Sequence, residues 1–439
     1  MFSYYLRLAW VSLRRNPVLT GLMALAIAVG IGASMTTLTV LYLLSGDPLP
    51  GKSAQLFYAQ VDSSPYPNDH EPLDRMDDRS ALDLWGAHKA DRQALIVDSP
   101  VKLRAPDSPK PPRMAVLLST TADFFPMFAV PFQYGAGWSA DDDAKKARVA
   151  VISAELNDQL FGGADSVGKS VMLRGSEVRI IGVLKPWRPS PLYYAVAGGR
   201  FSGGDTADFY SKPEDVMAPY SASLEINDGN FQQFTCWHPP EHPGHLTDSP
   251  CVWVSLWVQL DGAAKVATYR QFLADYAAQQ KSLGRFIHAD NTRLRSLMQW
   301  LDFNGVVPGD VRLQNWLAFA FLVICLSNTV CLLLAKFLRR GSEIGLRRAL
   351  GASRKAIFCQ CLVESGLVGL MGGSGGWLLT LLGLWLIRQQ QVAYADLAHL
   401  DLGMFTATLG LAIAASLVAG LLPALRASRI DPALQLKTL

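Results

Sequence analysis

Residues 163–170 read Gly163-Ala164-Asp165-Ser166-Val167-Gly168-Lys169-Ser170 and fill every fixed position of the phosphate-loop pattern G-x-x-x-x-G-K-[ST]. That chemistry needs a strand before the glycines and a helix after them, so that backbone amides and the helix dipole converge on the phosphates. Here the order is reversed: a helix-like segment, 154–161, precedes the loop, and Val171-Met172-Leu173 follows it as a strand. The segment therefore reads as a glycine-rich turn, with no nucleotide or other cofactor expected on this chain.

Cys236 and Cys251 bracket His238, His242 and His245. Cys and His are the usual zinc ligands, but this spacing fits no standard zinc pattern and the intervening prolines limit convergence. The leading reading is a Cys236–Cys251 disulfide closing a Pro-rich loop in an oxidising compartment; free thiols and a metal site are the alternatives. Cys325, Cys331, Cys359 and Cys361 fall in or beside apolar runs and read as apolar fillers. No Ser/His/Asp set or carboxylate pair forms a catalytic constellation. The acids of 69–83 and 141–143 read as loop charges and helix caps.

The most ordered polar segment is Glu343-Ile344-Gly345-Leu346-Arg347-Arg348-Ala349-Leu350-Gly351-Ala352-Ser353, set between two uncharged apolar runs. Ser342 suits a helix start, Glu343 suits the positive helix N-terminus, and Arg347 one turn on is its expected ion-pair partner. Gly351 suits a left-handed stop and Ser353 a second cap. A short helix over 342–351 is predicted, feeding directly into an apolar span.

Those charges must be positioned by membrane-spanning elements. Half the chain is hydrophobic (50%), and its mean hydropathy of +0.18 suits an anchor plus one sizeable aqueous domain. Four runs are long enough to cross a bilayer: 17–46, 313–335, 366–387 and 402–425. The first is too long for a secretory signal and reads as a retained anchor. Arg7, Arg14 and Arg15 precede it, and Lys336, Arg339, Arg340, Arg347, Arg348, Arg354 and Lys355 lie between the second and third runs. Arg426, Arg429 and Lys437 follow the fourth, so both termini are expected in the cytoplasm and 47–312 outside. The net charge of +3 gives no sign of nucleic-acid binding. Membrane lipid is the expected surrounding.

Ala26, Gly30 and Ser34 share one helix face, as do Gly369 and Gly373, and Gly372 and Gly376; such faces permit close helix contact, within the chain or across a dimer. Glu364, at the start of the third run, is expected to pair with Arg354, Lys355 or a neighbouring subunit. In the outer region, strands are predicted at 54–61, 96–101, 113–118, 148–152, 171–173, 178–184 and 252–260, and helices at 80–94, 154–161 and 263–281. Stretches 106–112, 188–205 and 238–250 read as loops. The fold class is thus an α-helical membrane protein with four transmembrane helices. A large, two-lobed mixed α/β periplasmic domain is inserted between helices 1 and 2. Its divisions fall at 1–46, 47–312 and 313–439.

The Glu343–Ser353 segment resembles the cytoplasmic loop between the second and third spans of FtsX-like permeases of ABC systems. Gly420-Leu421-Leu422-Pro423-Ala424-Leu425-Arg426-Ala427-Ser428-Arg429-Ile430-Asp431-Pro432 resembles their closing signature. Thr121-Ala122-Asp123-Phe124-Phe125, Gly135-Ala136-Gly137-Trp138, Val149-Ala150-Val151-Ile152-Ser153 and Val167-Gly168-Lys169 are similar to the periplasmic core of the MacB type. The resemblance implies a non-catalytic permease subunit of an efflux system, whose motion comes from ATP and Mg on a partner ABC ATPase in the cytoplasm. Glu343, Ile344, Gly345, Leu346, Arg347, Arg348, Leu350 and Gly351 would dock that ATPase. MacB-type proteins carry the ATPase fused on the N-terminal side; with a first span near residue 17, a separate ATPase subunit is expected here. The resemblance further implies a second permease copy or a paired permease, a periplasmic adaptor and an outer-membrane channel. An FtsX-like signalling scaffold and a lipoprotein-releasing permease are the alternatives.

Overall fold

The computed structural model describes residues 2–66, 70–106, 111–390, 393–397 and 402–429. Asp69, Asp401, Ile430, Asp431, Pro432 and Lys437, and the middle of the 106–112 loop, lie outside these. The chain divides into two compact units, one of Met1–Gly46 with Val307–Leu439 and one of Asp47–Val306.

The first unit is helical. An N-terminal helix, Phe2–Arg15, ends at Asn16, where a non-helical backbone turns the chain, and Pro17 opens the first span at a position where its missing N–H costs nothing. The spans are Pro17–Ser45, Gly309–Arg339, Arg354–Arg388 and Leu402–Ser428, with the short helix Gly341–Ala349 between the second and third. All four spans are long and apolar enough to cross a membrane. The third span starts well before its apolar run because Ser353 caps it, its Oγ accepting from the Ala356 amide at 3.2 Å.

Glycines set the spacing of the spans. A β-carbon at Gly372 would lie 2.6 Å from Ile27 Cγ2, and one at Gly376 3.0 Å from Ile31 Cγ2, so that face of the third span abuts the first. A β-carbon at Gly373 would lie 2.6 Å from Ala412 Cβ, and one at Gly369 would collide with Ser416, so the neighbouring face abuts the fourth. On the first span, Gly30 faces Leu322 and Cys325, Ser34 Oγ donates to the Ala318 carbonyl at 3.0 Å, and Ala26 is half-buried. Small residues here replace the water-driven attraction that apolar helices lose in lipid.

The second unit is mixed α/β. Its strands are β1 (Leu56–Gln60), β2 (Arg92–Arg104), β3 (Arg113–Thr120), β4 (Phe132–Gly135), β5 (Val149–Ile152) and β6 (Ser170–Leu173). After them come β7 (Ser176–Leu184), β8 (Val216–Pro219), β9 (Thr235–Cys236), β10 (Cys251–Val252), β11 (Ser255–Gln259) and β12 (Arg293–Ser296). Ten form one sheet in the order β12-β1-β11-β2-β3-β8-β5-β7-β4, with β6 beside β2 and β7; β9 and β10 form a separate ribbon. One buried cluster gathers Phe57, Leu95, Leu256 and Trp253 under the helix Ala263–Ser282. Another gathers Val101, Leu117, Ile152, Ile180 and Val216.

Three predicted elements differ. The helix expected at 80–94 is Asp78–Gly86, capped by Asp77, because left-handed His88 (φ 49°) ends it and Arg92 already pairs in β2. The strand expected at 252–260 is broken: Cys251–Val252 turns aside to the ribbon, Val254 bridges to Met76, and only Ser255–Gln259 enters the sheet. The stretch 188–205, read as a loop, is irregular yet packed. Tyr193, Tyr194 and Val196 are buried over the second face of β1 and β11, where Tyr194 accepts from the Trp257 indole at 3.0 Å and Val196 from the Trp300 indole at 2.9 Å. With both faces covered, the alternation of β1 and β11 separates two cores rather than core from water.

Candidate functional site

The short helix Gly341–Ala349 presents two faces. Gly341, Ile344 and Gly345 are buried, Ile344 within a cluster that includes Leu13, Phe337 and Ile357. Leu346 and Leu350, one turn apart, are 52% and 81% exposed. They form an apolar pair held outward, Leu346 on the helix and Leu350 at its C-terminal cap. Gly351 (φ +97°) stops the helix in the left-handed region that a side chain would strain. Ser342 is not its cap. Arg340 alone separates this helix from the second span, so the helix opens at Gly341 and Ser342 lies exposed in its first turn.

Arg340 supplies what a capping serine would not. Its Nε donates to Glu343 Oε2 and its Nη2 to Glu343 Oε1, both at 3.2 Å, closing a fork across the first turn. Arg347 Nη2 donates to Glu343 Oε1 at 2.7 Å and Arg347 Nη1 to Gln360 Oε1 at 3.0 Å, tying the helix to the third span. Arg15 lies 3.9 Å from Glu343 Oε2. Burial alone would raise the Glu343 carboxyl; the Arg340 fork, with the charges of Arg340, Arg347 and Arg15, outweighs it and holds the group below the usual carboxylate range.

The same guanidinium reaches inward. Arg340 Nη1 donates to Glu364 Oε2 at 3.2 Å and to Ser12 Oγ at 2.6 Å, and Ser12 donates to Glu364 Oε1 at 2.6 Å. Lys336 Nζ stands 2.6 Å from Glu364 Oε1, both side chains 1% exposed. Arg347, Glu343, Arg340, Glu364 and Lys336 thus form one alternating chain of charge, from the exposed helix to the buried Lys336 of the second span and Glu364 of the third. The expected partners of Glu364, Arg354 and Lys355, are wrong: they sit on the same helix more than two turns away, too far along its axis to meet it.

The other sequence candidates lie apart from this cluster. The 163–170 segment runs from the helix Ala154–Phe161 through a turn into β6; the Gly168 amide donates to Ile180, Ser166 to Asn157, and Lys169 stacks over Phe161. Cys236 and Cys251 face each other across the β9–β10 ribbon, joined as a disulfide. His245 Nδ1 lies 2.8 Å from Asp228, and among the described residues no group of three or more His, Cys, Asp or Glu could hold a metal ion.

The model of the MacB-like periplasmic core domain matches residues 20–274, and that of the FtsX-like permease C-terminal domain matches 315–432. The chain belongs to this family of MacB-like, FtsX-type permeases. Among its relatives, the Macrolide export ATP-binding/permease protein MacB 1/2 of Paracoccus denitrificans is 26% identical over 70% of the permease and 40% of its own length. The Pyoverdine export ATP-binding/permease protein PvdT of Pseudomonas entomophila is 26% identical over 70% of the permease and 41% of its own length. The permease therefore spans under half of these relatives. The periplasmic region of MacB from Actinobacillus actinomycetemcomitans aligns over 57% of the permease and 92% of that region, with 12% identity and a TM-score of 0.35.

Sequence reading found the exposed half of the site and missed the buried half. Lys336 and Arg340 read only as boundary charges, and Ser12 carried no signal. One clue was available: Glu364 is the only acid between Glu343 and Asp396, and Lys336 and Arg340 lie one helical turn apart. A lone acid facing an i, i+4 basic pair near lipid is a buried-pair signature.

Proposed function

We propose that this chain is the transmembrane permease of an ABC export system, relaying ATPase motion from the cytoplasm to the domain of Asp47–Val306. One observation carries the reading: the short helix turns Leu346 and Leu350 outward while its other side is locked by Arg340, Glu343 and Arg347 to the third span. An ATPase closing on ATP grips Leu346, Leu350 and Arg348, while Ile344 and Gly345, also expected in the grip, are buried against this chain. The ionic chain then transmits the displacement to Lys336 and Glu364, because a buried pair resists separation far more than a solvated one. Catalysis belongs to the ATPase; this chain supplies no nucleotide chemistry.

The positive flanks support an inner-membrane protein with cytoplasmic termini and a periplasmic domain, and the two buried clusters of that domain support a two-lobed reading. The working unit in this reading pairs two permeases and engages an adaptor and outer-membrane channel. Its two named relatives differ in cargo at equal identity, so likeness at this level does not select a substrate.

The test is copurification from mild detergent. Leu346→Glu with Leu350→Glu loses the ATPase by tenfold or more, while Ser342→Glu on the same exposed side, one turn from Leu346, lowers it less. ATPase retention by the double variant at the wild-type level overturns the docking role.

A further inference from the structure

The N-terminal helix takes no part in the grip but carries a surface of its own. Ala9, Ser12 and Leu13 are buried on its inner side, and Tyr4, Arg7, Trp10, Val11 and Arg14 are exposed on its outer side. At its edge, Leu6 closes one wall of an open apolar groove of about 220 Å³, whose other walls are Leu362, Gly366 and Leu370 of the third span and Ile413 and Leu417 of the fourth. Gly366 keeps the floor low: a β-carbon there would meet Leu417 Cδ2 at 3.7 Å.

Leu6, Trp10 and Arg14 follow one another at four-residue spacing, so they form a row along the helix, and Arg7 stands beside Arg14 two turns away. The Arg14 guanidinium lies 5.2 Å over the Trp10 ring. Ser12 on the same helix bonds Glu364, where the third span's apolar run begins, which sets this helix at the depth of lipid headgroups. An apolar slot, an interfacial tryptophan and two exposed guanidinium groups therefore succeed one another across one edge.

We propose that this edge binds one anionic phospholipid, an acyl chain in the groove and the phosphate against Arg7 and Arg14. Charge complementarity selects the occupant: a neutral lipid fills the slot equally well but leaves the two guanidinium groups with only a zwitterion to face. Because Ser12 also accepts from Arg340, the lipid is seated on the helix that completes the buried cluster. The site does not depend on the coupling reading.

The experiment uses the full chain in nanodiscs of phosphatidylcholine containing phosphatidylglycerol of the same acyl chains, with retained lipid counted by native mass spectrometry. Wild type retains phosphatidylglycerol over phosphatidylcholine on the order of tenfold. Arg7→Gln with Arg14→Gln brings that ratio near one, Arg7→Lys with Arg14→Lys preserves most of it, and Gly366→Leu lowers retention of both lipids. Equal retention of the two lipids by wild type overturns the proposal. So does an undiminished preference in the glutamine variant, or full retention after Gly366→Leu. ATPase copurification, measured in parallel, stays at the wild-type level in the Arg7/Arg14 variants, separating this site from the grip.

Discussion

Glu364 and Lys336 show what a charge does when it is both buried and shared. Removing one partner leaves the other uncompensated, which costs about 3–5 kcal/mol in a buried setting, whereas replacing both with apolar residues of similar volume is close to neutral. Glu364→Gln should therefore lower the thermal midpoint of the detergent-solubilised permease, and Lys336→Met with Glu364→Leu should recover most of it. A double variant no more stable than the single one would show that the pair does not act as a unit. Glu214 is a second buried carboxyl, in the other unit, accepting from the Tyr194 hydroxyl at 2.7 Å. Burial pushes it from 4.5 to about 7. The folded state holds this proton more tightly than the unfolded chain, so the group's stabilisation is fully present below pH ~4.5 and is lost as pH rises through about 7. Glu214→Gln should raise the unfolding midpoint at pH 8, with the difference closing toward zero at pH 5; a gap independent of pH would contradict it.

At the scale of elements, small residues decide which helices touch. A β-carbon at Gly373 would sit 2.6 Å from Ala412 Cβ, while one at Gly410 meets nothing within 4 Å. Gly373→Val should part the third and fourth spans and destabilise by about 1–3 kcal/mol, and Gly410→Val should change the midpoint little. Equal effects would mean that helix propensity, not contact, is being measured. The sequence could announce the small-residue faces because four-residue spacing is a local property. It could not name their partners, since those depend on how each helix is rotated against its neighbours. Ser34 is clear in spacing, but only packing reveals that it donates to Ala318. Glu364 failed for the same reason: its partners come from the second span, from Arg340 at the junction beyond it and from the N-terminal helix.

At the scale of the whole molecule, the spans and most strands were legible because hydrophobic periodicity and run length are strong signals. The polar start of the third span was legible only through Ser353, read as a cap and found accepting from the Ala356 amide, because its first turns carry no apolar run. The cover over β1 and β11 was hidden, since Pro- and Gly-rich sequence gives no periodicity even where Tyr193 and Tyr194 are buried. The central claim is that ATPase motion reaches the Asp47–Val306 domain through Arg340. Its most direct measurement is hydrogen exchange across residues 47–306 of the assembled permease–ATPase complex, with and without ATP. Wild type should show an ATP-dependent change in protection there. Arg340→Gln should keep its bound ATPase while losing most of that change; an ATP response of wild-type size in Arg340→Gln would contradict the account.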